Sequence, residues 1–597
     1  MEREAAAVEA ASSPSIPLLG ATIIACMAFY PIFASSYDTG EYAGSLFTVV
    51  AISLLISWLL SQTITPMMCV LFLPDPEVEE GKDPYDKPLF RAFGGVLDGC
   101  MRNARLFMLL MIVILGVSIW GFGYVERMYF PDSSRNQIMV DVWLEEGARI
   151  EQTSAKVAEF EEVLGSYDEV SLVSSFVGAG PPRFYLPVNP ESNYASYAQL
   201  IVNTHTLEGV GTVIDRFNGW LAENNTDALV RVRRYAVGAF DDWKFEARFS
   251  GPANADPAVL RGLAEEGMQI LRDSNYAMEV RSDWRKPTRE IDLLYNENRA
   301  SFAGVTRDNV GETTRRALDG TAVGLYREGD ELIPIVARSH EQVRDTAAMD
   351  LERLQLLPNF ATETLPLSQV VDGTEFIWRD NIIWRWDRKR AITVQASPRH
   401  VQAPVLMSDV QDKFEAIPLP SGYRLEWGGE FDSQRQSTEA LIPGFGPAGI
   451  IILVIIIALF NAFRPPLIII LVIPFVVIGI TFGLLATSTP FGFIALLGAM
   501  SLIGMMIKNS VVLLDEVNLN LDRGLKPYQA VRQAAISRLS PVVNAAATTV
   551  FGVIPLLSDL FWEGLAVTIM FGLAFGTLLT MLVVPVLYRL FYRIEPE

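Results

Sequence analysis

Residues 498–518, GAMSLIGMMIKNSVVLLDEVN, and residues 466–487, PLIIILVIPFVVIGITFGLLAT, decide the fold of this 597-residue chain. Each run is apolar over nearly all of its length and supplies the roughly 20 residues that a helix needs to cross a bilayer. A helix at the surface of a soluble domain has only one apolar stripe, so runs that are apolar on every side predict membrane spans. Lys508 is the only basic residue in the first run.

Eight segments of this kind flank a large polar block. They lie at 17–35, 45–73, 105–125, 444–462, 466–487, 493–515, 541–558 and 564–588. The block between them, from Met128 to Pro443, contains 49 acidic and 33 basic residues and accounts for most of the net charge of −21. This segregation excludes a soluble enzyme, a nucleic-acid binder with a basic surface and a disordered acidic chain. The predicted fold class is a polytopic α-helical membrane protein with a large folded region outside the bilayer.

The positions of the cysteines and histidines give no sign of a disulfide-bonded or metal-binding domain. Cys26, Cys69 and Cys100 all precede the polar block, which must therefore be held together by an ordinary hydrophobic core. The histidines have no metal-ligand spacing, and the methionines of the block form no cluster in sequence. We expect neither a metal site nor a cofactor. The histidines are His205, His340 and His400.

Basic residues near the span ends set the orientation, because they stay on the cytoplasmic side of a membrane. The connections SSYDTGEYAGS, STPFG and SDLFWEG contain none, whereas the other set of connections and both termini do. We predict that both termini are cytoplasmic and that the polar block is periplasmic, in a bacterial inner membrane. The residues that define the cytoplasmic side are Arg3, Lys82, Lys87, Arg91, Arg102, Arg105, Arg464, Arg523, Lys526, Arg532, Arg538, Arg589 and Arg593.

Within the block, a strand, helix, strand order recurs four times, at 136–180, 198–237, 244–284 and 390–430. This rhythm predicts an α+β region of βαβ modules, with helices packed on one face of small sheets. Residues 285–390 have short strands, one helical stretch and Gly-rich turns, and we interpret them as an inserted domain.

The segment 178–193, GAGPPRFYLPVNPESN, joins two predicted strands. Its composition is compatible with an ordinary long connection. The alternative is a loop that lines a substrate path, in which Gly178 and Gly180 help to set the shape and Phe184 and Tyr185 offer apolar contacts.

The chain begins with three predicted spans. A periplasmic βαβ block follows them, and five closely spaced spans come last. This order resembles the C-terminal part of a resistance-nodulation-division (RND) efflux permease, of the hydrophobe/amphiphile, acriflavin-resistance-type multidrug branch. The motifs that carry the resemblance are ISWLLSQTITPMMCVLFLP at 56–74, RMYFPDSSRNQIMVDVWLEEGA at 127–148, GPPRFYLP at 180–187, NAFRPPLIIILVIPFVVIGITFGLLA at 461–486, the run at 498–518 and RLSPVVNAAATTVFGVIPLL at 538–557.

The resemblance implies a domain organisation. Residues 1–127 would hold family spans 5 to 7 with a cytoplasmic connection at 74–104, and 444–597 would hold spans 8 to 12. One porter subdomain would occupy 128–240, the second would occupy 241–285 and 388–443, and a funnel or docking domain would occupy 286–387. It further implies a homotrimeric proton antiporter, not an enzyme, that exports small hydrophobic compounds through a periplasmic adaptor and an outer-membrane channel. A metal-exporting RND branch and a non-transporting scaffold subunit are the alternatives.

Lys508 needs a partner or a function, because a cation inside a span costs about 2.5–3.5 kcal/mol. One reading is that its side chain extends toward the boundary near Asp515 and Glu516. By the resemblance it corresponds instead to a buried lysine that pairs with two aspartates of the family's fourth span. The resemblance also implies a proton-exit role for Arg538, for which a membrane anchor is the alternative. Asn544, Thr548 and Thr549 are candidates for the relay or for simple interhelical hydrogen bonds.

Two positions depart from the family pattern. The relay threonine expected four residues after Pro541 is Ala545, and the N-terminal spans contain no intramembrane acid, since Asp38 and Glu41 are predicted in an external turn. We therefore expect the chain to correspond to the C-terminal part of a permease, whose transport requires the missing N-terminal half. Separately, Gly572 and Gly576 form a GxxxG motif that predicts close packing of the last span.

Overall fold

The computed structural model describes residues 3–12, 14–72, 85, 87–185, 187–238, 243–338, 351–359 and 361–595. Lys82 and His340, both named above, lie outside these residues. The chain divides into two compact units. The first comprises Met1–Leu144, Ile150–Asp283 and Trp384–Glu597, and the second comprises Glu145–Arg149 and Trp284–Ile383.

The first unit begins with helices. They are α1 (Arg3–Ser12), α2 (Ser15–Met27), α3 (Tyr30–Phe33), α4 (Asp38–Ala43), α5 (Ser45–Phe72), α6 (Pro88–Arg102) and α7 (Ala104–Phe122). Two stretches, α4 with α5 and α7 alone, are long and apolar enough to cross a membrane. Between these spans, α6 buries Gly94, Leu97 and Met101 on one side.

The segment predicted as a span at 17–35 is not one unbroken helix. Helix α2 ends at Met27 and α3 begins only at Tyr30. Pro31 has no backbone N–H to continue the helical hydrogen bonds, so the helix breaks just before it. Helix α2 reaches the length of a span only together with α1, from which it is bent by 42°. The predicted external turn with Asp38 and Glu41 is also helical, since both residues belong to α4.

The first βαβ subdomain follows α7. It contains β1 (Gln137–Trp143), α8 (Ile150–Gly165), β2 (Val170–Val177), β3 (Tyr197–Thr204), α9 (Leu207–Asn224) and β4 (Leu229–Arg234). The strands form an antiparallel sheet in the order β2-β3-β1-β4. Strand residues such as Val140 and Leu200 pack with Phe160 of α8 and Phe217 of α9 in one core. The first two predicted rounds are confirmed.

The second subdomain starts with β5 (Phe245–Ser250), α10 (Pro257–Arg272) and β6 (Ala277–Ser282). Helix α10 begins where the sequence indicates, because Asp256 caps it by accepting a hydrogen bond from the amide of Ala258, and Pro257 occupies its first position. The chain then leaves the first unit at Asp283.

The second unit has its own strands and small core. Its elements are β7 (Thr288–Tyr295), α11 (Glu297–Phe302), α12 (Arg307–Leu318), β8 (Thr321–Glu328), β9 (Glu331–Ala337), β10 (Gln355–Leu356), β11 (Leu365–Pro366) and β12 (Val371–Arg379). Three antiparallel pairs form, β7 with β12, β8 with β9, and β10 with β11. Val310, Leu356, Leu367 and Val370 belong to the core, whereas the β8–β9 hairpin is almost wholly exposed.

The second subdomain is completed when the chain returns. Strands β13 (Arg385–Trp386) and β14 (Lys389–Pro398), helix α13 (Ala403–Glu415) and β15 (Arg424–Gly428) follow in order. The five-stranded sheet has the order β13-β14-β5-β15, and β6 also pairs with β14. Strands distant in sequence thus share one sheet, and the third and fourth predicted rounds are confirmed.

The remaining helices form the second membrane part. They are α14 (Gly429–Phe460), α15 (Arg464–Val472), α16 (Val476–Thr487), α17 (Phe493–Asp522), α18 (Pro527–Val553) and α19 (Glu563–Tyr592). A short 3-10 turn joins α15 to α16, so the two make one span. In the described part of the chain, seven helices qualify as spans, or eight with the bent pair α1 and α2.

Small residues allow three of these spans to approach one another closely. A methyl group at Gly479 of α16 would lie 2.7 Å from the carbonyl oxygen of Phe571 in α19. One at Gly572 of α19 would overlap the Leu502 side chain of α17, and one at Gly576 would lie 2.7 Å from the Met506 sulfur. The close packing predicted from the GxxxG motif is confirmed.

Candidate functional site

Lys508 lies near the middle of α17 and breaks its pattern of burial. From Phe493 to Leu521, all of which are described, every other residue is buried or half-buried, and Lys508 alone is exposed. Its ammonium group makes no hydrogen bond or ion pair within the described part of the chain. One positive charge therefore projects from an otherwise packed helix that is apolar enough to cross a membrane.

Glu516, one of the two acids considered as neighbours of Lys508, is engaged by another cation. Nη2 of Arg538 in α18 donates to Oε2 of Glu516 in α17 at 2.5 Å. This ion pair ties the two helices together near the loop that joins them. This pairing of the two residues was not predicted from the sequence. The available signal was one acid and one base in two helices separated by only a short connection.

The candidate relay residues of α18 make no hydrogen bond to Lys508 among the described residues. The hydroxyls of Thr548 and Thr549 both donate to the carbonyl oxygen of Ala545, at 2.9 Å each, within their own helix. Asn544 and Thr548 are exposed and Thr549 is half-buried. A relay through these side chains stays a prediction.

The two aromatic residues of the loop at 178–193 differ in exposure and in hydrogen bonding. Gly178 has φ +82, a conformation that favours glycine, and a methyl group there would lie 3.0 Å from the Ile150 side chain. Gly180 leaves room next to Gln199. The Phe184 side chain is 52% exposed. Tyr185 is fixed, because its hydroxyl donates to the carbonyl oxygen of Ala236 at 2.7 Å.

A cation and a second aromatic ring complete the packing around this loop. The guanidinium of Arg135 lies 4.7 Å from the ring centre of Tyr185 and 5.7 Å from that of Tyr235. The Tyr185 and Tyr235 rings meet edge to face at 5.2 Å. Of the predicted contact residues, Phe184 is therefore the one that is available to a ligand.

The sheet of the first subdomain carries a buried polar network on the face opposite its helices. This network was not predicted from the sequence. Oδ1 of Asp141 accepts from the Tyr197 hydroxyl at 2.9 Å and from Nε2 of Gln199 at 2.6 Å. Oδ2 accepts from Nε of Arg233 at 2.9 Å. Burial, with the Asp141 charge next in size, raises the pKa of Tyr197 well above its ordinary value, so the phenol stays protonated and remains a donor.

A cleft of about 970 Å³ lies between the two βαβ subdomains. Residues of α9 and β4 line it from the first subdomain, and residues of β6 and α13 line it from the second. Residues 123–128, which follow α7 directly, also line it. A cleft of this volume is large enough for a drug-sized molecule.

Charge of both signs surrounds the cleft. Arg231, Arg233, Arg234 and Lys244 contribute positive charge, and Asp132, Asp215 and Glu279 contribute negative charge. Burial raises the pKa of Glu279, and the Arg231 guanidinium, 3.6 Å from its carboxylate, opposes that shift. Among the described residues, no group of three or more His, Cys, Asp or Glu side chains is placed to hold a metal ion.

The family model of the AcrB/AcrD/AcrF family matches residues 1–592 of the chain. Among curated proteins, the cobalt-zinc-cadmium resistance protein CzcA of Cupriavidus metallidurans is 23% identical over 98% of this chain and 56% of its own length. The multidrug resistance protein MdtC of Proteus mirabilis is 21% identical over 98% of this chain and 57% of its own length. The chain thus spans a little over half the length of these relatives.

Solved structures share the fold. A crystal structure of a heavy metal efflux pump matches with a TM-score of 0.79 at 19% identity, over 97% of this chain and 59% of that one. The match covers both the spans and the βαβ region, as the predicted fold class requires. The chain belongs to the AcrB/AcrD/AcrF family of RND efflux permeases, whose members are membrane transporters and not enzymes.

Proposed function

We propose that this chain forms part of a proton-driven efflux permease of the inner membrane and that Lys508 belongs to its proton-coupling site. The single observation that carries this proposal is that Lys508 alone is exposed between Phe493 and Leu521 of α17 and has no partner in the described part of the chain. An unpaired cation at that depth costs several kcal/mol, so the assembled protein must bring a carboxylate to it. A carboxylate that gains and loses a proton next to Lys508 would change the charge of the site at each turn of the cycle.

We propose that the carboxylate comes from further spans of the assembled permease. The relatives are long enough to contain such spans, because this chain covers only 56–57% of their length. In the same assembly both termini are cytoplasmic and the βαβ subdomains are periplasmic. Three copies work with a periplasmic adaptor and an outer-membrane channel.

For the substrate, we propose small hydrophobic or amphiphilic compounds that enter the cleft between the subdomains. The support is the volume of that cleft and the exposed ring of Phe184 on the adjoining loop. Metal ions are the second candidate, favoured by the similarity to the cobalt-zinc-cadmium resistance protein CzcA and to the solved heavy metal efflux pump.

The test compares Lys508→Ala with Arg523→Ala in the complete permease, in a Gram-negative host that lacks its own efflux systems. Arg523 is the matched control, because it is an exposed cation at the cytoplasmic end of the same helix, outside the apolar stretch. We expect Lys508→Ala to remove efflux at unchanged protein level, and Arg523→Ala to retain it.

Two readouts in the same cells separate the substrate classes. Ethidium accumulation reports export of an amphiphile, and growth in Zn²⁺ or Co²⁺ reports export of a metal. Efflux that survives Lys508→Ala would exclude Lys508 from proton coupling. If the intact permease exports neither kind of substrate, the scaffold alternative is favoured instead.

A further inference from the structure

The chain that leaves α7 lies against the loop that leads into α17. The amide of Met128 donates to the carbonyl oxygen of Phe491 at 3.3 Å. The amide of Phe493 donates to the carbonyl oxygen of Tyr129 at 3.0 Å. A methyl group at Gly492 would lie 2.7 Å from the carbonyl oxygen of Met128, so the two segments meet backbone to backbone. Phe493 is the first residue of α17, and its amide has no acceptor within the helix, so Tyr129 supplies one.

Tyr129 also holds the first two turns of α14. Its amide donates to Oε1 of Glu430 at 3.1 Å. Its hydroxyl oxygen lies 2.5 Å from Oγ of Ser437, in a second hydrogen bond. All three residues are buried. The carbonyl of Tyr129 is therefore bonded to α17, and its amide and hydroxyl are bonded to α14, so it cannot shift against either helix without losing a hydrogen bond.

The start of α14 is fixed in turn to the second βαβ subdomain. The amide of Glu430 donates to the carbonyl oxygen of Lys244 at 3.3 Å, and Phe245 of β5 forms an antiparallel bridge with Gly429. Gly429 has φ +63, and a methyl group there would lie 2.6 Å from the carbonyl oxygen of Trp243. The helix and the strand thus meet through backbone atoms, which leaves them little freedom to move apart.

Lys508 belongs to the same helix as Phe493. The two residues lie roughly 22 Å apart along the axis of α17, at 1.5 Å per residue. Helix α17 runs from Phe493 to Asp522 and contains no proline, so its backbone hydrogen bonds are not interrupted by a missing donor. An axial shift of the helix at Lys508 therefore moves Phe493 with it.

We propose that Tyr129 is a positioning residue that couples α17 to the second βαβ subdomain. A movement of α17 that follows a charge change beside Lys508 pulls on Tyr129 through Phe493. Tyr129 passes that movement to α14 and β5 through Glu430. This role rests on the proposed function, since it gives the proton-coupling site a physical connection to the periplasmic region.

The main test compares Phe493→Pro with Phe493→Ala in the complete permease. Both variants lose the aromatic ring, but only proline also loses the amide hydrogen that bonds to Tyr129. Proline is tolerated at the first position of a helix, and Gly492 before it has the extended backbone, φ −116 and ψ −172, that a following proline requires.

Proteoliposomes with an imposed pH gradient provide the readout, which is ethidium export measured together with proton entry by a trapped pH-sensitive dye. We expect Phe493→Pro to lower ethidium export roughly tenfold relative to Phe493→Ala. Protons should still enter, because Lys508 and its surroundings are far from the altered bond. The number of protons that enter per ethidium exported should therefore rise in the proline variant.

A second pair of variants acts from the other side of Tyr129. Glu430→Ala removes the acceptor of the Tyr129 amide, whereas Glu430→Gln keeps an oxygen there. We expect the alanine variant to raise the ratio of protons to ethidium and the glutamine variant to recover most of the coupling. Tyr295→Phe is the structural control, since it deletes a hydroxyl that donates to the carbonyl oxygen of Val305 at 3.0 Å in the second unit. It should leave the ratio unchanged.

Hydrogen–deuterium exchange of the purified full-length chain gives a readout that needs no transport. We expect Phe493→Pro to speed exchange over residues 429–437 severalfold more than Phe493→Ala does. Equal exchange in the two variants would overturn the inference, even for a permease that exports no ethidium. So would an equal loss of proton entry and of export, because that result indicates a structural role alone. Export that survives Lys508→Ala would instead sink the proposed function, which these two readouts do not address.

Discussion

The periplasmic block and the membrane spans differ in whether a charged side chain in the middle of an element has a partner. Asp141 lies in the middle of a buried strand and has three partners from its own sheet. Lys508 lies in the middle of a packed span and has none within the described residues. The charge buried in the sheet is thus balanced within this chain, whereas the membrane part presents a charge that has no partner among the described residues.

The spans themselves fall into two groups by the same criterion. Over the most apolar 18 residues of each span, α17 and α19 are 56% and 61% buried, whereas α5 and α7 are each only 6% buried. The packed group meets through glycines, and the open group presents its side chains outward. We therefore expect different kinds of substitution to destabilise the βαβ block and the packed spans.

The largest effect is expected when the polar network of the block is broken. Asp141→Ala takes the buried carboxylate away from the half-buried Arg233 guanidinium and removes the acceptor of Tyr197 and Gln199. Losing one partner of a buried ion pair costs about 3–5 kcal/mol. We expect a loss of that size in the free energy of unfolding of the purified full-length chain, measured with denaturant in detergent.

The matched control is an exposed pair in the same block. Arg272 and Glu265 of α10 lie 2.7 Å apart, with side chains 46% and 62% exposed. Glu265→Ala should change the free energy of unfolding by less than about 1 kcal/mol, because water screens such pairs. A similar cost for the two alanine variants would mean that the Asp141 network does not hold the block together.

These residues also show what a sequence can and cannot reveal. The strands and helices of the block follow from local periodicity, and the spans follow from apolar composition, so both were predicted. Lys508 was found because its immediate neighbours are apolar. Asp141 was missed because its partners Tyr197, Gln199 and Arg233 lie more than fifty residues away, and only the strand register brings them together. The break before Pro31 was missed because hydropathy ranks the run as a span with or without a proline, and only the proline signals the lost hydrogen bond.

A smaller effect is expected from a buried acid at the edge of the same unit. Burial raises the pKa of Asp283 to about 6, although its carboxylate accepts a hydrogen bond from the amide of Thr393 at 2.8 Å. The folded chain therefore binds this proton more tightly than the unfolded chain does. The resulting contribution to stability is fully present below about pH 4 and is lost as the pH rises through about 6.

Asp283→Asn keeps the acceptor for Thr393 and removes the titration. We expect the variant to be more stable than the parent chain at pH 7.5, by up to about 3 kcal/mol, and the difference to shrink toward zero at pH 4. Thermal unfolding across this pH range measures it. A stability difference that is the same at both pH values would show that Asp283 does not titrate in this window.

In the packed spans the sensitive positions are the glycines. Gly479→Val would force a side chain against the backbone of Phe571, so we expect a loss of about 2 kcal/mol and less folded protein after extraction. Gly116→Val in α7 is the control, since open space surrounds that glycine and the change in helix propensity is the same. The fraction of each variant that elutes as a single species gives the comparison. If the two variants give the same fraction of single species, the close approach of Gly479 to Phe571 does not limit folding.

The smallest effect separates two tyrosines that touch each other. Tyr185→Phe removes the hydroxyl that donates to Ala236, and we expect it to cost about 1 kcal/mol. Burial raises the pKa of Tyr235 to about 12, and its hydroxyl is buried without a hydrogen-bond partner among the described residues.

Tyr235→Phe therefore removes a polar group whose burial is not compensated, and it should leave stability unchanged or raise it slightly. The two substitutions delete the same atom from rings 5.2 Å apart, so the difference between them combines the hydrogen bond lost at Tyr185 with the burial cost removed at Tyr235. Unfolding midpoints measured side by side decide the matter. A Tyr235→Phe variant less stable than Tyr185→Phe would mean that the Tyr235 hydroxyl has an acceptor, such as a buried water, and that the polar interior of the block extends to it.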